Sequence, residues 1–323
     1  MAIPHKQQSM RFLAFCDYSQ NVGLGHLRRC EKLFCLLDSL CDCEYSVIKN
    51  ATIAYIKSLA GQSFDGIIVD SYAFTRTHYA LLARFDAVLL CFDDENRGVY
   101  PAGSFVLNGA PNAHLLYPQC QKQHPLHTDC APTHCIRESK GVHYALGLPY
   151  ALTSPHFTPK PTHKEQIQDI FINFGGADSL NFSAQVLECI PRHCHAHLVL
   201  GELYPHTLQP KDNVTLYHNL RPNELNALIA RCDVAISAGG GMLLELAQSQ
   251  MPTIMFATAP NQAFQVAQFK ELGAFIEAKD FAQIPELLSS LAPQCVRQDK
   301  ADILAQLPLG VHLAPALKQI FKL

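Results

Sequence analysis

Short apolar runs alternate along this chain with longer stretches in which apolar positions recur every three or four residues. That is the pattern of strands alternating with amphipathic helices. The first half predicts strands over Arg11–Cys16, Cys43–Ile48, Gly66–Val69, Ala87–Phe92 and Phe105–Leu107, with helices over His26–Leu40, Ala51–Ala60 and Arg76–Arg84 between them. The pattern dissolves between Tyr117 and Gly141, and a second loop-like stretch runs from Ser154 to Lys164. A second series then predicts strands over Ile167–Phe174, Ala196–Leu200, Asn213–Tyr217, Asp233–Ser237 and Pro252–Phe256. Its helices are expected over Asn181–Cys189, Pro222–Arg231, Met242–Gln250 and Asn261–Leu272, with a last one over Pro315–Leu323. Strands and helices in strict alternation imply α/β layers around mostly parallel sheets. The expected organisation is an N-terminal Rossmann-like domain over residues 10–155, a C-terminal one over 165–310, and a helix over 311–323 that crosses back to the first. Two such domains facing across a cleft would place ligands at the carboxyl ends of both sheets.

Composition narrows the function. With 323 residues, 48% hydrophobic and 16% charged, the chain has apolar material for two packed domains. A formal charge of -3 without a dense basic run gives no reason to expect nucleic acid or an anionic membrane as partner. The polar opening Met1–Gln8 lacks the order of a signal peptide, and no apolar run reaches the length of a membrane span. Of thirteen cysteines, an odd number spread over a chain of this size, most are expected to be free thiols in a reducing, cytoplasmic setting. Cys16, Cys30, Cys35 and Cys91 are expected to serve as small buried hydrophobes.

The densest candidate chemistry is Gly23-Leu24-Gly25-His26-Leu27-Arg28-Arg29-Cys30, directly after the first strand and opening the first helix. Glycines there let the backbone approach a ligand, and the positive helix end disfavours a second positive charge on His26, so that its imidazole can take a proton from water. Two more glycine loops follow strands: Phe174-Gly175-Gly176-Ala177-Asp178 and Ser237-Ala238-Gly239-Gly240-Gly241-Met242. The second could cradle a phosphate, but it lacks the Lys-Ser/Thr ending of an ATP-hydrolysing loop. Glu245, one turn into the following helix, could accept two ribose hydroxyls; taken alone, the plainer reading of a favourable acid in a first helical turn prevails.

Taken in order, the Gly-x-Gly-His-x-x-Arg segment, Val69-Asp70-Ser71-Tyr72, Phe92-Asp93-Asp94-Glu95, Phe174–Asp178, the Gly240-Gly241 loop with Glu245, and Asn261-Gln262 resemble the PseG hydrolases of pseudaminic acid biosynthesis. Those enzymes are similar in fold to the MurG-like GT-B glycosyltransferases. The resemblance implies a UDP-linked 2,4-diacetamido-2,4,6-trideoxy-β-L-altrose as substrate, with UDP and the free sugar as products of an inverting attack by water. It implies no cofactor and no metal, with other enzymes of the same sugar's biosynthesis as partners. His26 takes the place of the catalytic histidine. Substrate contacts are implied for Gly25, Arg29, Tyr72, Gly175, Gly176, Gly240, Gly241, Met242, Glu245, Asn261 and Gln262. The arginine that family members commonly carry in the linker is absent from Ala151–Phe157.

Three other readings compete. A glycosyltransferase of the same fold would replace water with a sugar or lipid hydroxyl, and a UDP-binding scaffold would keep Glu245 and the glycines without the base. A metal protein would use Cys120, His124, His127, Cys130, His134 and Cys135, or His193-Cys194-His195 with His197, although neither set has good ligand spacing. Asp93, Asp94 and Glu95 could hold a divalent ion; the plainer reading has one carboxylate capping a turn and another bonding the loop at Gly25.

Overall fold

The computed structural model describes residues 9–20, 22–120, 136–159, 164–209 and 211–323. They fall into two units, one within Met1–Tyr18, His26–Leu152 and Gly310–Leu323, the other within Ser19–Gly25 and Thr153–Leu309.

The first unit starts with β1 (Met10–Cys16), α1 (Gly25–Asp38), β2 (Cys43–Lys49), α2 (Ile53–Ser58), β3 (Gly66–Asp70), α3 (Arg76–Leu82), β4 (Val88–Phe92) and β5 (Phe105–Asn108). Phe12 to Cys16 are all buried, as a central strand covered on both faces requires, whereas edge strand β2 leaves Glu44, Tyr45 and Ser46 exposed. Helix α1 buries Leu27, Cys30, Leu33, Phe34 and Leu37, a stripe of three- and four-residue steps. Phe34 stacks on Tyr45 with ring centroids 4.3 Å apart. Cys35, expected inside, lies on the outer face of that helix and is exposed, while Cys16, Cys30 and Cys91 are buried.

The region without a readable pattern ends, in its described part, as a hairpin of β6 (Arg137–Ser139) and β7 (Val142–Leu146). Its two turn residues, Lys140 and Gly141, have φ of 52° and 77°, the left-handed pair of a tight two-residue turn. The sheet order is β2-β1-β3-β4-β5-β7-β6, parallel throughout except for the β6–β7 pair. The order reverses between β1 and β3, which is where an open α/β sheet makes a crevice at its carboxyl edge.

The second unit contains β8 (Asp169–Asn173), α4 (Phe182–Cys189), β9 (His195–Leu200), β10 (Val214–His218), α5 (Pro222–Arg231), β11 (Val234–Ala238), α6 (Met242–Gln248), β12 (Thr253–Phe256), α7 (Ala263–Glu271) and β13 (Ile276–Glu277). Its all-parallel sheet has the order β10-β9-β8-β11-β12-β13, the doubly wound dinucleotide-fold order with its switch between β8 and β11. Ile170, Ile172, Leu198, Val234, Ile236 and Ile254 form the middle of its core. Helices α8 (Ile284–Ser290) and α9 (Gln294–Ala305), which the sequence pattern did not announce, complete it.

The final helix, α10 (Leu313–Phe321), belongs to the first unit. Pro315 is its third residue rather than its first, within the turn where a missing N–H costs nothing. Phe321 meets Phe12 edge to face at 5.0 Å, and a Cβ on Gly66 would come within 2.6 Å of the Phe321 ring. Gly66 is therefore a glycine because a helix lies directly on β3.

Candidate active site

In the first unit, β1, β3 and β4 end in Cys16, Asp70 and Phe92, and each is followed by acidic or polar residues. Asp17 binds the turn beyond β3: its carboxylate accepts from the Ser71 hydroxyl at 2.5 Å, the Tyr72 amide at 2.7 Å and the Ala73 amide at 3.3 Å. Arg97 braces the same turn, donating to the carbonyls of Ser71 and Phe74 at 2.7 and 2.6 Å. A buried carboxylate and a guanidinium thus hold rigid the loop that carries Tyr72.

His26, second residue of α1 and buried, lies over the β1/β3 switch point, where Nδ1 is 2.5 Å from Asp70 Oδ1. Asp70 is also gripped by Arg29, one turn further along α1, through Nε to Oδ2 at 2.6 Å and Nη2 to Oδ1 at 2.7 Å. The remaining Arg29 nitrogen, Nη1, reaches both oxygens of Asp94 at 2.9 and 2.8 Å. Burial pushes the Asp70 carboxyl upward, but the charges of Arg29 and His26 outweigh it and hold the group down at about 2. For Arg29, burial works against the charged form and the two carboxylates outweigh it, so its pKa lies well above the usual arginine value. The Tyr72 ring meets the His26 ring edge-on, with centroids 4.9 Å apart and planes at 86°, and its hydroxyl donates to Asp94 at 2.9 Å.

In chemical terms, a neutral imidazole in this position donates its Nδ1 proton to an ionised carboxylate. Its lone pair is then on Nε2, which has no hydrogen-bond partner among the described residues. The arrangement is that of a general base with its orienting acid.

The glycine that the local backbone requires is Gly23, with φ of 80° and its amide bonded to the Ser19 carbonyl at 2.7 Å. Gly25 is exposed at the helix start, and a Cβ there would touch nothing in the chain. Asp93 caps its turn as expected, accepting from the Glu95 and Arg97 amides, each at 2.9 Å. Asp94 departs from expectation, because its partners are Arg29 and Tyr72 rather than the loop at Gly25.

In the second unit, both predicted glycine loops lie at the ends of the adjacent strands β8 and β11, at the switch point. Gly175 has φ of 84°, and its amide donates to the Asn173 side chain at 3.1 Å. A Cβ on Gly176 would come within 2.6 Å of Leu24, and one on Gly201 would overlap the Gly176 backbone, so Gly176 serves close packing. Asp178 caps α4 through the amides of Phe182 and Ser183 at 2.8 and 2.9 Å. In the triple glycine, a Cβ on Gly239 would overlap the Val266 side chain; around Gly240 the nearest atom is Gln262 Nε2 at 3.6 Å, and around Gly241 the space is open.

Gln265 supports that loop, its amide donating to the carbonyls of Gly239 and Gly240 at 2.9 and 3.0 Å. Gln262 accepts from the amide and hydroxyl of Thr258, both at 2.9 Å, and with Asn261 it forms a 3₁₀ turn ahead of α7 rather than the first residues of the α-helix. Met242 is the first residue of α6 and Glu245 the fourth, buried at 8% exposure.

The structure thus brings His26, Arg29 and Tyr72 together in one unit, and gathers Gly240 and Gln262 at one loop of the other. Sequence reasoning missed Asp17, Arg97, Thr258 and Gln265. Only Asp17 had a signal, an acid immediately after a buried strand.

Of the metal candidates, His124, His127, Cys130, His134 and Cys135 lie outside the described residues. Among the described residues no group of three or more His, Cys, Asp or Glu side chains could hold a metal ion, and no helix is long and apolar enough to cross a membrane.

No family model matches the chain. The resemblance read from the motifs is borne out by a relative. Over 291 residues the chain is 29% identical to the pseudaminic acid cytidylyltransferase and UDP-2,4-diacetamido-2,4,6-trideoxy-beta-L-altropyranose hydrolase of Helicobacter pylori, with 86% of this chain and 51% of the relative covered. The chain therefore spans about half the length of that relative. Among solved structures, MurG of Acinetobacter baumannii matches at a TM-score of 0.57 and 11% identity, covering 98% of this chain and 100% of its own. The calicheamicin glycosyltransferase CalG4 matches at 0.58 and 13%, covering 98% and 99%. The chain has their fold, that of the GT-B glycosyltransferases.

Proposed function

We propose that the chain hydrolyses a UDP-linked 2,4-diacetamido-2,4,6-trideoxy-L-altrose to UDP and the free sugar, by inverting attack of water on the anomeric carbon. The observation that carries the reading is the His26 imidazole, bonded at Nδ1 to an Asp70 that Arg29 keeps ionised. The similarity to the Helicobacter pylori relative, whose name includes this hydrolase activity, supports the choice of substrate.

In this reading Nε2 of His26 takes a proton from water as the water oxygen bonds to C1. The bond from C1 to the diphosphate oxygen breaks, and UDP departs with the electron pair. General-base assistance of this kind is worth about 10²–10⁴-fold. The negative charge growing on UDP is assigned to the amides of Gly240, Gly241 and Met242, with Gly175 and Gly176 beside them, and the ribose hydroxyls to Glu245. Tyr72, Asn261 and Gln262 are assigned to the sugar and diphosphate, and Gly25 and Arg29, on the helix that presents the base, to substrate contacts as well. No cofactor is needed for this step. Substrate and product are small, and the reaction is placed in the cytoplasm alongside other enzymes of the same sugar's biosynthesis.

The second reading is a MurG-like UDP-sugar glycosyltransferase, favoured by the fold of MurG and CalG4. A panel of UDP-sugars assayed for UDP release with no acceptor separates the two. Release by the parent and its loss in His26→Ala support hydrolysis, whereas release only after a hydroxyl acceptor is added would replace it with transfer.

A further inference from the structure

Asp94 follows β4 at one residue's distance, and its side chain is 27% exposed. Its two oxygens receive three hydrogen bonds, two from Arg29 Nη1 and one from the Tyr72 hydroxyl. Arg29 is consequently directed at all three of its nitrogens, Nε and Nη2 by Asp70 and Nη1 by Asp94, while its guanidinium lies 4.7 Å over the Phe92 ring. A guanidinium fixed in this way cannot turn about its own axis, and the Asp70 oxygen facing His26 is set with it. The second route runs through Tyr72: hydroxyl on Asp94, ring edge-on against the His26 ring. His26 is held on two sides, and both restraints end on Asp94.

Charge leads to the same residue. With His26 neutral, Asp70, Arg29 and Asp94 together carry one net negative charge, which an imidazolium would cancel. Without Asp94, Arg29 would already neutralise Asp70, and proton uptake would leave the buried cluster positive. The other groups facing the cluster do not supply that charge. Asp17 and Arg97, of opposite sign, are engaged with the turn at Ser71–Phe74, the charge of Asp93, bonded to the amides of Glu95 and Arg97, acts on Tyr79, Cys91 and Tyr100, and the thiols of Cys16 and Cys30 bond each other near Asp70.

We propose that Asp94 is a positioning residue for His26, which locks Arg29 and Tyr72 in place and supplies the negative charge that balances the imidazolium. This rests on the hydrolase reading for its kinetic consequence and on geometry alone for its structural one, so the test has two arms.

The first arm measures kcat and KM for UDP release across pH in the parent, Asp94→Asn, Tyr72→Phe and the exposed neighbouring control Glu95→Gln. The second follows the downfield proton resonance of the His26 Nδ1–H, assigned by its disappearance in His26→Ala. Asp94→Asn should lower kcat about ten- to hundredfold with KM within about threefold, and move the acid limb of kcat to lower pH. It should also displace the Nδ1 proton resonance. Tyr72→Phe, which removes one of the three bonds and keeps the ring, should displace that resonance less, and Glu95→Gln should leave both readouts at parental values.

A folded Asp94→Asn protein with parental kcat, an unmoved acid limb and an unmoved resonance would overturn the proposal. So would a rise in KM at constant kcat, which would make Asp94 a substrate contact. If the parent releases no UDP from any UDP-sugar, the hydrolase reading fails by itself, and the resonance still decides whether Asp94 holds His26.

Discussion

Replacing Asp70 by asparagine is the most informative perturbation of the dyad, because it keeps the shape and removes only the charge and one acceptor. Asp70 is 1% exposed and accepts three hydrogen bonds, at 2.5, 2.6 and 2.7 Å, all from groups that carry or can carry positive charge. The two Arg29 bonds go to different oxygens, so an asparagine carbonyl at the Oδ2 position keeps the bond from Nε, while the NH₂ takes the place of Oδ1 and loses the one from Nη2. Its NH₂ is then turned toward His26 Nδ1, which must accept instead of donate. The imidazole proton moves to Nε2, and the nitrogen meant to take a proton from water already holds one.

The expected loss in kcat is therefore the whole general-base contribution, about 10²–10⁴-fold, with UDP affinity nearly unchanged because the residues assigned to the ribose and to the departing charge lie in the other unit. Breaking a buried ion pair should also cost about 3–5 kcal/mol of stability, visible as a lower Tm. The pH dependence has a definite sign. Burial raises the Asp70 pKa, Arg29 and His26 lower it further, and the result is about 2 against an unfolded value of about 3.9. A depressed carboxyl contributes stability that is present above about pH 4 and is lost as pH falls toward 2. In Asp70→Asn that part of the acid transition should vanish. The assay is initial-rate UDP release beside calorimetric UDP titration, and a folded Asp70→Asn protein within twofold of the parental kcat would refute the assignment of His26 as a base oriented by Asp70.

His26→Ala should lower kcat by about a hundredfold or more and leave UDP affinity nearly intact; loss of UDP binding in the titration would make His26 a nucleotide contact instead. Glu245→Ala should weaken UDP binding by about ten- to hundredfold, the equivalent of about 1.5–3 kcal/mol from lost bonds to a charged acceptor, as measured by calorimetry. Gly239→Ala, which would drive a methyl group into Val266, should cost about 1–3 kcal/mol in denaturant unfolding. Gly241→Ala, with open space around its Cβ, should leave stability near parental and weaken UDP binding only.

The fold was readable wherever burial is continuous or strictly periodic. Phe12 to Cys16 and Val234 to Ala238 are fully buried strands and read as such, and the Leu27–Leu37 stripe announced α1. Helix α9 was hidden because one of its inward-facing positions is an arginine. Arg297 is fully buried and donates to the carbonyls of Leu291, Ala292, Lys164 and Glu165, so the helix buries a charge where a pattern search expects an apolar residue. The β6–β7 hairpin was hidden by its Lys140-Gly141 turn, which lacks the usual Asn-Gly signature. At the candidate site, His26 was legible from its place after the first strand at a helix start, whereas Arg29 and Tyr72 were indicated only by the family resemblance. One of the carboxylates at Asp93–Glu95 was expected to bond the loop at Gly25, and the role of Asp94 was not legible, because nothing along the chain says that an arginine 65 residues away points at it.

A histidine beside an aspartate is not in itself a base, as the second unit demonstrates. His197 Nε2 lies 2.9 Å from Asp169, and Nδ1 lies 3.1 Å from the Tyr217 hydroxyl, so both ring nitrogens are occupied. Asp169 begins β8, at the amino edge of the sheet, and is further tied to Lys164 at 2.6 Å. Such a pair orders strands and a loop and has no lone pair to offer. His26 differs on each point: its aspartate ends β3 at the carboxyl edge, its position is the β1/β3 switch point, and only Nδ1 is engaged among the described residues. The same two residue types thus have opposite capacities. Strand polarity and the number of occupied nitrogens, rather than the pairing, make His26 the candidate base.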